Sequence, residues 1–382
     1  MMRPMKLAGS QLMFGEGCLE YLKTLQIKKA AIVIGGSSME RSGMLQKVKD
    51  YIKEENGEFI VIDGVEPDPS FKTVKRGAEL MMEFGPDMIV ALGGGSVMDA
   101  AKTMWVYYEH PELKTLEDAL TANPFPKLRT KAQFCCIPST AGTASEVSRS
   151  VVISDDETGM KHGLGNMEMM PDVAICDPEV TMTMPPRITA ETGMDALTHA
   201  IEALVSTRAN YLSDILAEKS ALDIIEYLPK AYENGNDKHV REIMLNASMT
   251  AGMAFTNVSL GIVHSMAHTI GGYFHVPHGL GDAVLLPYVI RFNSADKRAE
   301  EIYTALAKAA GGNNLTEMVT KLNKEIGIAS CLKELIPQED KFKEVLTKMA
   351  KAAKEDGCTK TNPIIPSVEQ LEELFLQAYY GI

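Results

Sequence analysis

Half of the histidines in this 382-residue chain lie in one short window. The segment HSMAHTIGGYFHVPHG (264–279) contains four of the eight: His264, His268, His275 and His278. Imidazoles that gather in this way are either hydrogen-bonded within a packed domain or collected around a metal ion. The two explanations differ in whether further metal-binding side chains occur elsewhere with a matching spacing.

A carboxylate and another histidine occur upstream with such a spacing. In GMDALTHAIEALVS (193–206), Asp195 and His199 are four residues apart. On a helix they project from one face, about 6 Å apart along the axis. His264 and His268 repeat this spacing. An isolated pair of this kind also fits an intrahelical Asp–His hydrogen bond, so the spacing alone leaves both explanations open.

His278 is expected in a turn rather than in a helix, because it follows Pro277 and precedes Gly279. A carboxylate and several imidazoles from two helices and a loop can surround one divalent ion. This set of donors contains no thiolate, so it suits Fe(II), Zn(II), Mn(II) or Co(II) better than a structural zinc site. The sequence therefore favours a metal centre in the second half of the chain.

The first half of the chain contains a glycine-rich turn between a predicted strand and a predicted helix. In PDMIVALGGGSVMDAAK (86–102), the strand ends at Leu92 and the helix is expected to begin at Ser96. The glycines between them are Gly93, Gly94 and Gly95. Glycines let the backbone approach an anion, and free N–H groups at a helix start attract phosphate. Ser96 with Asp99 also fits a capping box, which needs no ligand.

A second turn of this kind is STAGTASEVS (139–148). Its small and hydroxyl residues include Ser139, Thr140, Gly142 and Thr143. Neither turn has the strict GxGxxG dinucleotide fingerprint. However, two such turns at the carboxyl ends of parallel strands form the crevice in which α/β proteins bind dinucleotides. The sequence therefore favours a nucleotide site in the first half.

The chain changes character near residue 178. Before it, continuous apolar runs at 30–34, 58–63, 88–92 and 133–138 alternate with amphipathic segments, a pattern typical of a parallel sheet covered on both faces. After a proline-rich stretch, helical periodicity takes over. We expect an α/β dinucleotide-binding domain over 1–178 and an all-helical metal-binding domain over 179–382.

Composition excludes several classes of partner. The chain has 38 basic and 51 acidic residues, a formal net charge of −13, which argues against nucleic acid and anionic membrane surfaces as partners. No apolar stretch reaches the roughly 20 residues that span a bilayer, and MMRPMKLAGS lacks the apolar core of a signal peptide. The six cysteines have no metal-finger spacing and are interpreted as buried thiols. We expect a cytoplasmic protein that acts on a small molecule, as a homodimer or higher homo-oligomer.

Together, these motifs resemble those of the iron-containing (group III) alcohol dehydrogenase family. The resemblance rests on GGGSVMDAAK, STAGTASEVS, GMDALTHAIEALVS, and HSMAHTIGGYFHVPHG with the following LLPYVIRFN, in the family's order. It implies a dehydroquinate-synthase-like architecture with the active site in the cleft between the two domains. It also implies that one catalytic metal, usually iron and in some members zinc, has the ligands Asp195, His199, His264 and His278. His268 would lie beside them, near the substrate.

The resemblance also assigns the cofactor contacts. Gly93, Gly94, Gly95 and Ser96 of the first turn would contact the pyrophosphate and nicotinamide side of the cofactor, together with Ser139, Thr140, Gly142 and Thr143 of the second. Asp99 and Asp68 are further expected cofactor contacts. Lys161 matches a family lysine near the nicotinamide ribose, although it is also compatible with an ordinary surface lysine. Within the histidine window, His275 occupies a position that the family does not reserve for histidine, and we expect it to be peripheral or exposed. The remaining histidines, His110, His162 and His239, are expected to face solvent.

The choice of nicotinamide cofactor is predicted from the turn after the first apolar run. In NAD-preferring relatives an aspartate commonly follows this strand, whereas here the residues are Gly35, Gly36, Ser37 and Ser38. A carboxylate there would repel the 2′-phosphate of NADP by roughly 1 to 4 kcal/mol at ~4 Å, about a tenfold to thousandfold change in affinity. Its absence favours NADP, with NAD as the alternative. No arginine is expected to clamp the phosphate, so the preference should be moderate.

The predicted function is that of a metal-dependent alcohol dehydrogenase or aldehyde reductase acting on a short primary alcohol or diol. The metal would stabilise the alkoxide, and His268 could pass the alcohol proton toward solvent. Alternatives on the same fold are a dehydroquinate-synthase-like lyase and a glycerol-dehydrogenase-like polyol oxidoreductase. The lyase would need basic residues for a phosphorylated substrate, and the segments around the histidines contain few. Ser139, where the family commonly has threonine, and Gly281–Asp282 after the last histidine depart from the family pattern.

Overall fold

The computed structural model describes residues 4–156 and 161–382, which divide into two compact units, one up to Met184 and one from Pro185 onward. The boundary predicted after residue 178 lies slightly before this division. The turn of 3-10 helix Pro178–Thr181 explains the difference, because Val180 is buried in the core of the first unit.

The first unit is built on a parallel β-sheet. Its strands are β1 (Gln11–Phe14), β2 (Lys29–Val33), β3 (Glu58–Ile62), β4 (Met88–Gly93), β5 (Gln133–Pro138), β6 (Ser150–Ser154), β7 (Lys161–Gly165) and β8 (Val173–Cys176). Six of them form one sheet in the order β1-β8-β5-β4-β2-β3, and every neighbouring pair in it is parallel. Strands β6 and β7 form a separate antiparallel pair. The continuous apolar runs predicted β2 to β5, whereas the four-residue strands β1 and β8 are too short to show such a pattern.

Strand β2 shows why these runs are continuous. Ala31 and Val33 are buried in one hydrophobic core, and Ala30 and Ile32 are buried in a second core on the opposite face. Successive side chains of a strand point to opposite faces, so both faces of β2 are covered.

Helices cover this sheet. They are α1 (Ser38–Arg41), α2 (Met44–Glu54), α3 (Phe71–Phe84), α4 (Gly95–Glu109) and α5 (Leu116–Leu120). Helix α4 is buried along most of its length, and its Trp105 stacks on Phe134 of β5 with ring centroids 5.1 Å apart. The Trp105 indole N–H donates to the Ala132 carbonyl at 3.1 Å. Trp105 therefore holds helix α4 against the β-sheet.

The strand order reverses next to β2. Strand β2 pairs with β3 on one side and with β4 on the other, so the chain leaves β2 in one direction and returns past it. Ligands of open α/β sheets bind beyond the carboxyl ends of the strands at such a reversal. The segment after β2 contains Gly35 to Ser38, and Gly93 to Ser96 lie at the end of β4 and the start of α4. The topology thus places two of the predicted cofactor segments side by side.

The second unit is helical, with no strand among its residues, all of which the structure describes. Its helices are α6 (Pro186–Val205), α7 (Tyr211–Glu233), α8 (Lys238–Val258), α9 (Ile262–Phe274), α10 (His278–Asn293), α11 (Lys297–Ala309), α12 (Leu315–Glu325), α13 (Leu332–Leu335), α14 (Glu339–Glu355) and α15 (Val368–Tyr380). Helix α6 packs against α7, α8 and α10 and is buried over most of its length. Pro186 favours its start, because a first helical residue needs no intrahelical N–H bond.

Within the part of the chain that the structure describes, no helix combines the length and apolar character needed to cross a bilayer.

Candidate functional site

Four side chains from three helices of the second unit converge on one point. Asp195 of α6, His264 of α9, and His278 and Asp282 of α10 each offer one ligand atom, and these atoms all lie within 4.8 Å of one another. Asp195 Oδ1 is 3.7 Å from His264 Nε2 and 3.9 Å from His278 Nε2. Three of the predicted metal ligands are therefore together, with Asp282 as a fourth group.

The fourth predicted ligand, His199, flanks this group. Its Nε2 is 3.6 Å from Asp195 Oδ1, one helical turn away on α6. The ring of His199 stacks on His264 and on Phe255 with centroids 4.6 and 4.3 Å away. Packing against these two rings holds the His199 imidazole next to the Asp195 carboxylate.

The expectation that His278 lies in a turn is wrong, because His278 is the first residue of α10. Pro277 is the N-cap, and its carbonyl accepts hydrogen bonds from the N–H groups of Leu280 and Gly281. A proline before a helix is compatible with the helix start, so the same residues that predicted a turn form a helix N-terminus. His278 and Asp282 are consequently one turn apart on the same face.

Close approach of α10 to α6 requires a glycine after His278. A Cβ atom at Gly279 would lie 2.2 Å from the Glu191 carbonyl oxygen and 3.1 Å from Cβ of Asp195. Any side chain would push the start of α10 away from α6. Gly279 therefore allows the imidazole of His278 to reach the Asp195 carboxylate.

Several polar atoms at this point are buried and have no hydrogen-bond partner among the residues that the structure describes. Asp195, His264 and Asp282 are 3%, 2% and 0% exposed. Asp195 Oδ1, His264 Nε2 and both carboxylate oxygens of Asp282 accept or donate no hydrogen bond. A buried charged group without a partner costs more than about 1–3 kcal/mol. A divalent cation would compensate all of these atoms at once, so the residues present fit a metal ion.

The pKa values of the Asp195 and Asp282 carboxyl groups are shifted in opposite directions. Burial raises the pKa of Asp195, but the imidazoles of His199, His264 and His278 outweigh this effect and lower its pKa below the ordinary value. Burial raises the pKa of Asp282 well above its ordinary value, and the nearby Asp195 carboxylate adds to the effect. Placing these groups together is electrostatically unfavourable without additional positive charge.

Glu202 of α6 orients His264. One of its oxygens accepts from His264 Nδ1 at 2.6 Å, and the other accepts from the N–H of Val263 at 2.7 Å. With Nδ1–H donating to the carboxylate, Nε2 faces Asp195. Glu202 lies three residues after His199 on the same helix, a spacing that could have indicated its role.

His268, predicted to lie near the ligands, forms a dyad with Asp356. His268 Nδ1 is 2.8 Å from Asp356 Oδ2, and the His268 ring stacks on His278 with centroids 5.3 Å apart. The other oxygen of Asp356 accepts from the Cys358 N–H at 2.7 Å. Burial raises the pKa of Asp356, but the bonds from His268 and Cys358 lower it below the ordinary value. Eighty-eight residues separate the pair, so no local sequence pattern indicates Asp356.

The remaining histidines lie apart from this site. His275 is exposed and is the C-cap of α9, with a left-handed φ of 55°. His239 is exposed, and His110 and His162 are partly exposed. Their positions agree with the expected peripheral or solvent-facing roles.

In the first unit, the predicted capping box of Ser96 and Asp99 is wrong. Helix α4 begins at Gly95, and its N-cap is Gly94, which has no side chain to cap the helix. The carboxylate of Asp99 instead accepts from Ser145 Oγ at 2.8 Å and from the Val152 N–H at 2.9 Å. The N-terminus of α4 is thus formed by glycine backbone, and Asp99 connects the helix to the segment after β5.

A buried lysine joins the two glycine-rich turns. Lys102 of α4 is 0% exposed, and its Nζ donates to Ser145 Oγ at 2.8 Å and to the Ser148 carbonyl at 2.9 Å. Burial lowers the pKa of Lys102 and raises the pKa of the neighbouring Glu146 to about 7. Ser145 links Lys102 to Asp99, so the two charges share one hydroxyl group.

The two turns are also in direct contact. The N–H of Ser139 donates to the Gly93 carbonyl at 2.9 Å, which extends the pairing of β4 and β5 into the turns. A Cβ atom at Gly95 would lie 2.5 Å from Cγ2 of Thr143. Gly95 therefore permits Thr143, and with it Thr140 and Gly142 in the same turn, to lie against the start of α4. The predicted pyrophosphate and nicotinamide residues thus form one continuous surface.

The expectation that no arginine lies near the turn after β2 is wrong. Ser37 is the N-cap of α1, and Arg41 lies one turn later, with its Nη1 donating to Ser37 Oγ at 2.7 Å. The spacing of four residues places the two side chains on one face as soon as the segment is helical. The exposed Arg41 guanidinium thus lies beside Ser37 and Ser38.

Lys161 and Asp68, both predicted cofactor residues, contact each other. The Lys161 Nζ is 2.7 Å from Asp68 Oδ1, and the lysine side chain is 12% exposed. Asp68 has a positive φ of 54°, an uncommon conformation for a residue other than glycine. The ion pair therefore holds the Lys161 side chain next to Asp68.

Two models of one protein family match the two halves of the chain. A family model described as iron-containing alcohol dehydrogenase matches residues 9–178, and the model of the C-terminal part of the Fe-containing alcohol dehydrogenase family matches residues 189–379. The chain is 48% identical to an NADPH-dependent butanol dehydrogenase of Clostridium saccharobutylicum, and the match covers 96% of each protein. It is 38% identical to a 1-propanol dehydrogenase of Citrobacter freundii, covering 96% of this chain and 97% of that protein.

Among solved structures, an iron-containing alcohol dehydrogenase from Thermococcus thioreducens is similar over the whole chain. The TM-score is 0.92 with 35% sequence identity, and the match covers 100% of both chains. The expected fold class, a parallel α/β unit followed by a helical unit of the dehydroquinate-synthase-like type, is confirmed.

The contacts of Glu202 generate a prediction about metal affinity. In Glu202→Gln an NH2 group replaces one of the two oxygens that accept from His264 Nδ1 and from the Val263 N–H. One of these donors then faces another donor, so His264 is held less firmly in its orientation. We expect affinity for a divalent metal to fall by about 10- to 100-fold, measured by competition with a coloured chelator. Glu191→Gln is the control, because Glu191 lies on the same helix but pairs with Arg187 at 2.7 Å. Equal affinities of Glu202→Gln and the parent protein would contradict the assignment.

Proposed function

Because the chain belongs to the iron-containing alcohol dehydrogenase family, we propose that it transfers a hydride between a nicotinamide cofactor and a short primary alcohol or diol, or the matching aldehyde. The observation that carries this proposal is the group of four ligand atoms within 4.8 Å, whose buried oxygens have no hydrogen-bond donor. Such a group needs a cation, and a dehydrogenase of this family uses one.

The proposed metal ligands are Asp195, His199, His264 and His278. The convergence of Asp195, His264 and His278 supports this set, and the imidazole of His199 next to Asp195 agrees with it. We propose iron as the metal because the family is named for it, with zinc as the alternative that the same donors accept. A divalent ion held there supplies Lewis acidity that lowers the pKa of an alcohol hydroxyl group.

The protein's own contribution to proton transfer is assigned to His268. With Nδ1 donating to Asp356, the unprotonated Nε2 can accept the alcohol proton during oxidation, and it returns a proton during aldehyde reduction. Asp356 keeps this orientation and stabilises the imidazolium that forms. Because His268 is partly exposed, with 29% of its side chain accessible, the proton can pass on to solvent.

NADP is the proposed cofactor, with NAD as the alternative. The nicotinamide supplies the hydride acceptor or donor. Three features of the first unit support NADP: the neutral Gly35 after β2, the hydroxyl groups of Ser37 and Ser38, and the guanidinium of Arg41 beside them. A planar guanidinium is well suited to a phosphate group. The relative from Clostridium is named as an NADPH-dependent enzyme, which agrees with this choice.

The substrate class follows from the relatives, which are named for butanol and 1-propanol. We propose short primary alcohols and the corresponding aldehydes for this chain as well. We further propose that it works in the cytoplasm as a homodimer or higher homo-oligomer. The free cysteines support a reducing compartment, since Cys135, Cys136 and Cys176 are buried and unpaired by disulfides.

The experiment that tests the function is an activity panel. The protein is purified without oxygen, loaded with Fe(II), and assayed at the absorbance of the reduced nicotinamide with alcohols, diols and aldehydes of two to six carbons. We expect turnover with several members. No turnover on any member by metal-loaded protein would refute the proposal. In the control His264→Ala, metal content and turnover should both be lost while NADPH binding is retained, because the two sites lie in different units.

The neutral turn after β2 generates a prediction about cofactor preference. We expect a higher kcat/KM with NADPH than with NADH. In Gly35→Asp, repulsion of the 2′-phosphate should lower kcat/KM for NADPH by about tenfold to a thousandfold while NADH is affected much less. In Arg41→Gln the NADPH value should fall by about tenfold, the scale of one hydrogen bond to a charged group.

Packing requires a matched control for this test. A Cβ atom at Gly35 would lie 3.1 Å from the Val65 carbonyl and 3.2 Å from Val97 Cγ2, so any side chain there crowds its neighbours. Gly35→Asn introduces the same crowding without the charge, and the ratio between the two variants isolates the electrostatic effect. A parent protein that prefers NADH would show that this turn does not contact the 2′-position.

The dyad of His268 and Asp356 generates a prediction about proton transfer. In Asp356→Asn the neutral amide cannot stabilise the imidazolium that forms when His268 accepts the alcohol proton, so proton transfer should be slower. We also expect kcat to fall by about 10- to 100-fold with unchanged metal content. Asp340→Asn, which changes an exposed carboxylate in the first turn of α14, is the control. A kcat within threefold of the parent value would mean that proton transfer does not depend on the contact between His268 and Asp356.

A further inference from the structure

The metal site contains a carboxylate that the family ligand set does not use. Asp282 lies one helical turn after His278 on α10 and is 0% exposed. Its Oδ2 is 3.3 Å from His278 Nε2 and 3.8 Å from His264 Nε2, yet neither of its oxygens has a hydrogen-bond partner in the described part of the chain. A side chain that is fully buried, charged in its ordinary state and without donors needs an explanation.

The surroundings of Asp282 admit few compensating groups. Asp195 and Glu202 are carboxylates, and the Nδ1–H of His264 is already bonded to Glu202. Neither Lys nor Arg reaches Asp282 within ion-pair distance among the residues that the structure describes, and its ion-pair partners are the imidazoles of His264 and His278. The ligand atom of Asp282 lies within 4.8 Å of those of Asp195, His264 and His278. All of these atoms therefore face one common space.

We propose that Asp282 is an additional ligand of the metal, so that the centre has two carboxylates among its donors. This inference rests on the proposed function, because it concerns the same metal site. A second carboxylate brings the charge of the donor set to −2, which matches a divalent cation. It also makes the set harder, and carboxylate oxygens suit Mn(II) and Fe(II) better relative to Zn(II) than a set dominated by imidazoles. Asp282 would thus bias metal choice in a site that otherwise accepts zinc.

The competing explanation is a neutral carboxylic acid that shares a proton with Asp195. In that case Asp282 acts as a hydrogen-bond donor, and an amide of the same shape can replace it. If Asp282 binds the metal as a carboxylate, an amide cannot supply the charge. Asp282→Asn therefore separates the two explanations with little change in volume.

The experiment measures metal binding rather than turnover. Apoprotein is titrated anaerobically with Fe(II), and separately with Mn(II) and Zn(II), against a chelator, and bound metal is counted by elemental analysis. For Asp282→Asn we expect Fe(II) and Mn(II) affinity to fall by about 10- to 100-fold and Zn(II) affinity to fall less, so the selectivity ratio moves toward zinc. Affinities for all three metals within threefold of the parent would overturn the proposal.

The matched control is Asp177→Asn. Asp177 is also 0% exposed but lies in the first unit, where its carboxylate accepts from the N–H groups of Leu19 and Glu179. This variant should lose stability without losing metal. If the parent protein binds no divalent metal, or if His264→Ala binds as tightly as the parent, the proposed function itself fails. If His264→Ala loses metal and Asp282→Asn does not, only the role of Asp282 fails.

A second measurement is independent of whether Asp282→Asn folds. In a crystal structure of the metal-loaded parent protein, a carboxylate oxygen of Asp282 should lie about 2.0–2.2 Å from the ion, the usual metal–oxygen distance for such ligands. An oxygen farther than about 3 Å from the ion would overturn the proposal.

Discussion

Buried negative charge is the constraint on which the second unit depends. Asp195, Glu202 and Asp282 lie close together and are nearly inaccessible to water. Removing a carboxylate from water costs several kcal/mol even after the surrounding structure relaxes, unless donors or opposite charges replace the water. Glu202 accepts hydrogen bonds from two N–H groups, whereas neither Asp282 nor Asp195 Oδ1 accepts one from any residue that the structure describes. The three helices that contribute these groups are thus arranged around a positive charge that the protein chain does not itself supply.

The apolar packing of the helices holds these groups in place. Helix α6 is buried over most of its length against α7, α8 and α10, and the glycine after His278 lets α10 approach it closely. Because the repulsion between carboxylates is present before any ion binds, part of the packing energy maintains an unfavourable arrangement. An ion that binds only the folded protein stabilises it by about 2.7 kcal/mol at a concentration 100 times its dissociation constant. Metal binding and stability of the second unit are therefore coupled through the same carboxylates.

The first unit compensates a buried charge with groups of its own chain. The Nζ of Lys102 donates to Ser145 Oγ and to the Ser148 carbonyl, and Ser145 Oγ in turn donates to the Asp99 carboxylate. This network is complete, so it fixes the two glycine-rich turns relative to each other without a ligand. The backbone N–H groups of the turns and the N-terminus of α4 then remain available for an anion. The turns predicted to bind the cofactor are thus held in place by the chain itself, whereas the buried carboxylates of the second unit lack a compensating charge.

Some features of the fold and of the site follow from the sequence, and the others do not for identifiable physical reasons. The long apolar strands and the Asp195–His199 spacing were informative because burial and helical periodicity leave regular patterns. Pro277 and Gly279 indicated a turn, although here proline is an N-cap and glycine permits close helix packing. That error concealed the His278–Asp282 pair, whose spacing of four residues equals the one that identified Asp195 and His199. By contrast, Asp356 reaches its histidine only through tertiary folding, and no local pattern could predict it.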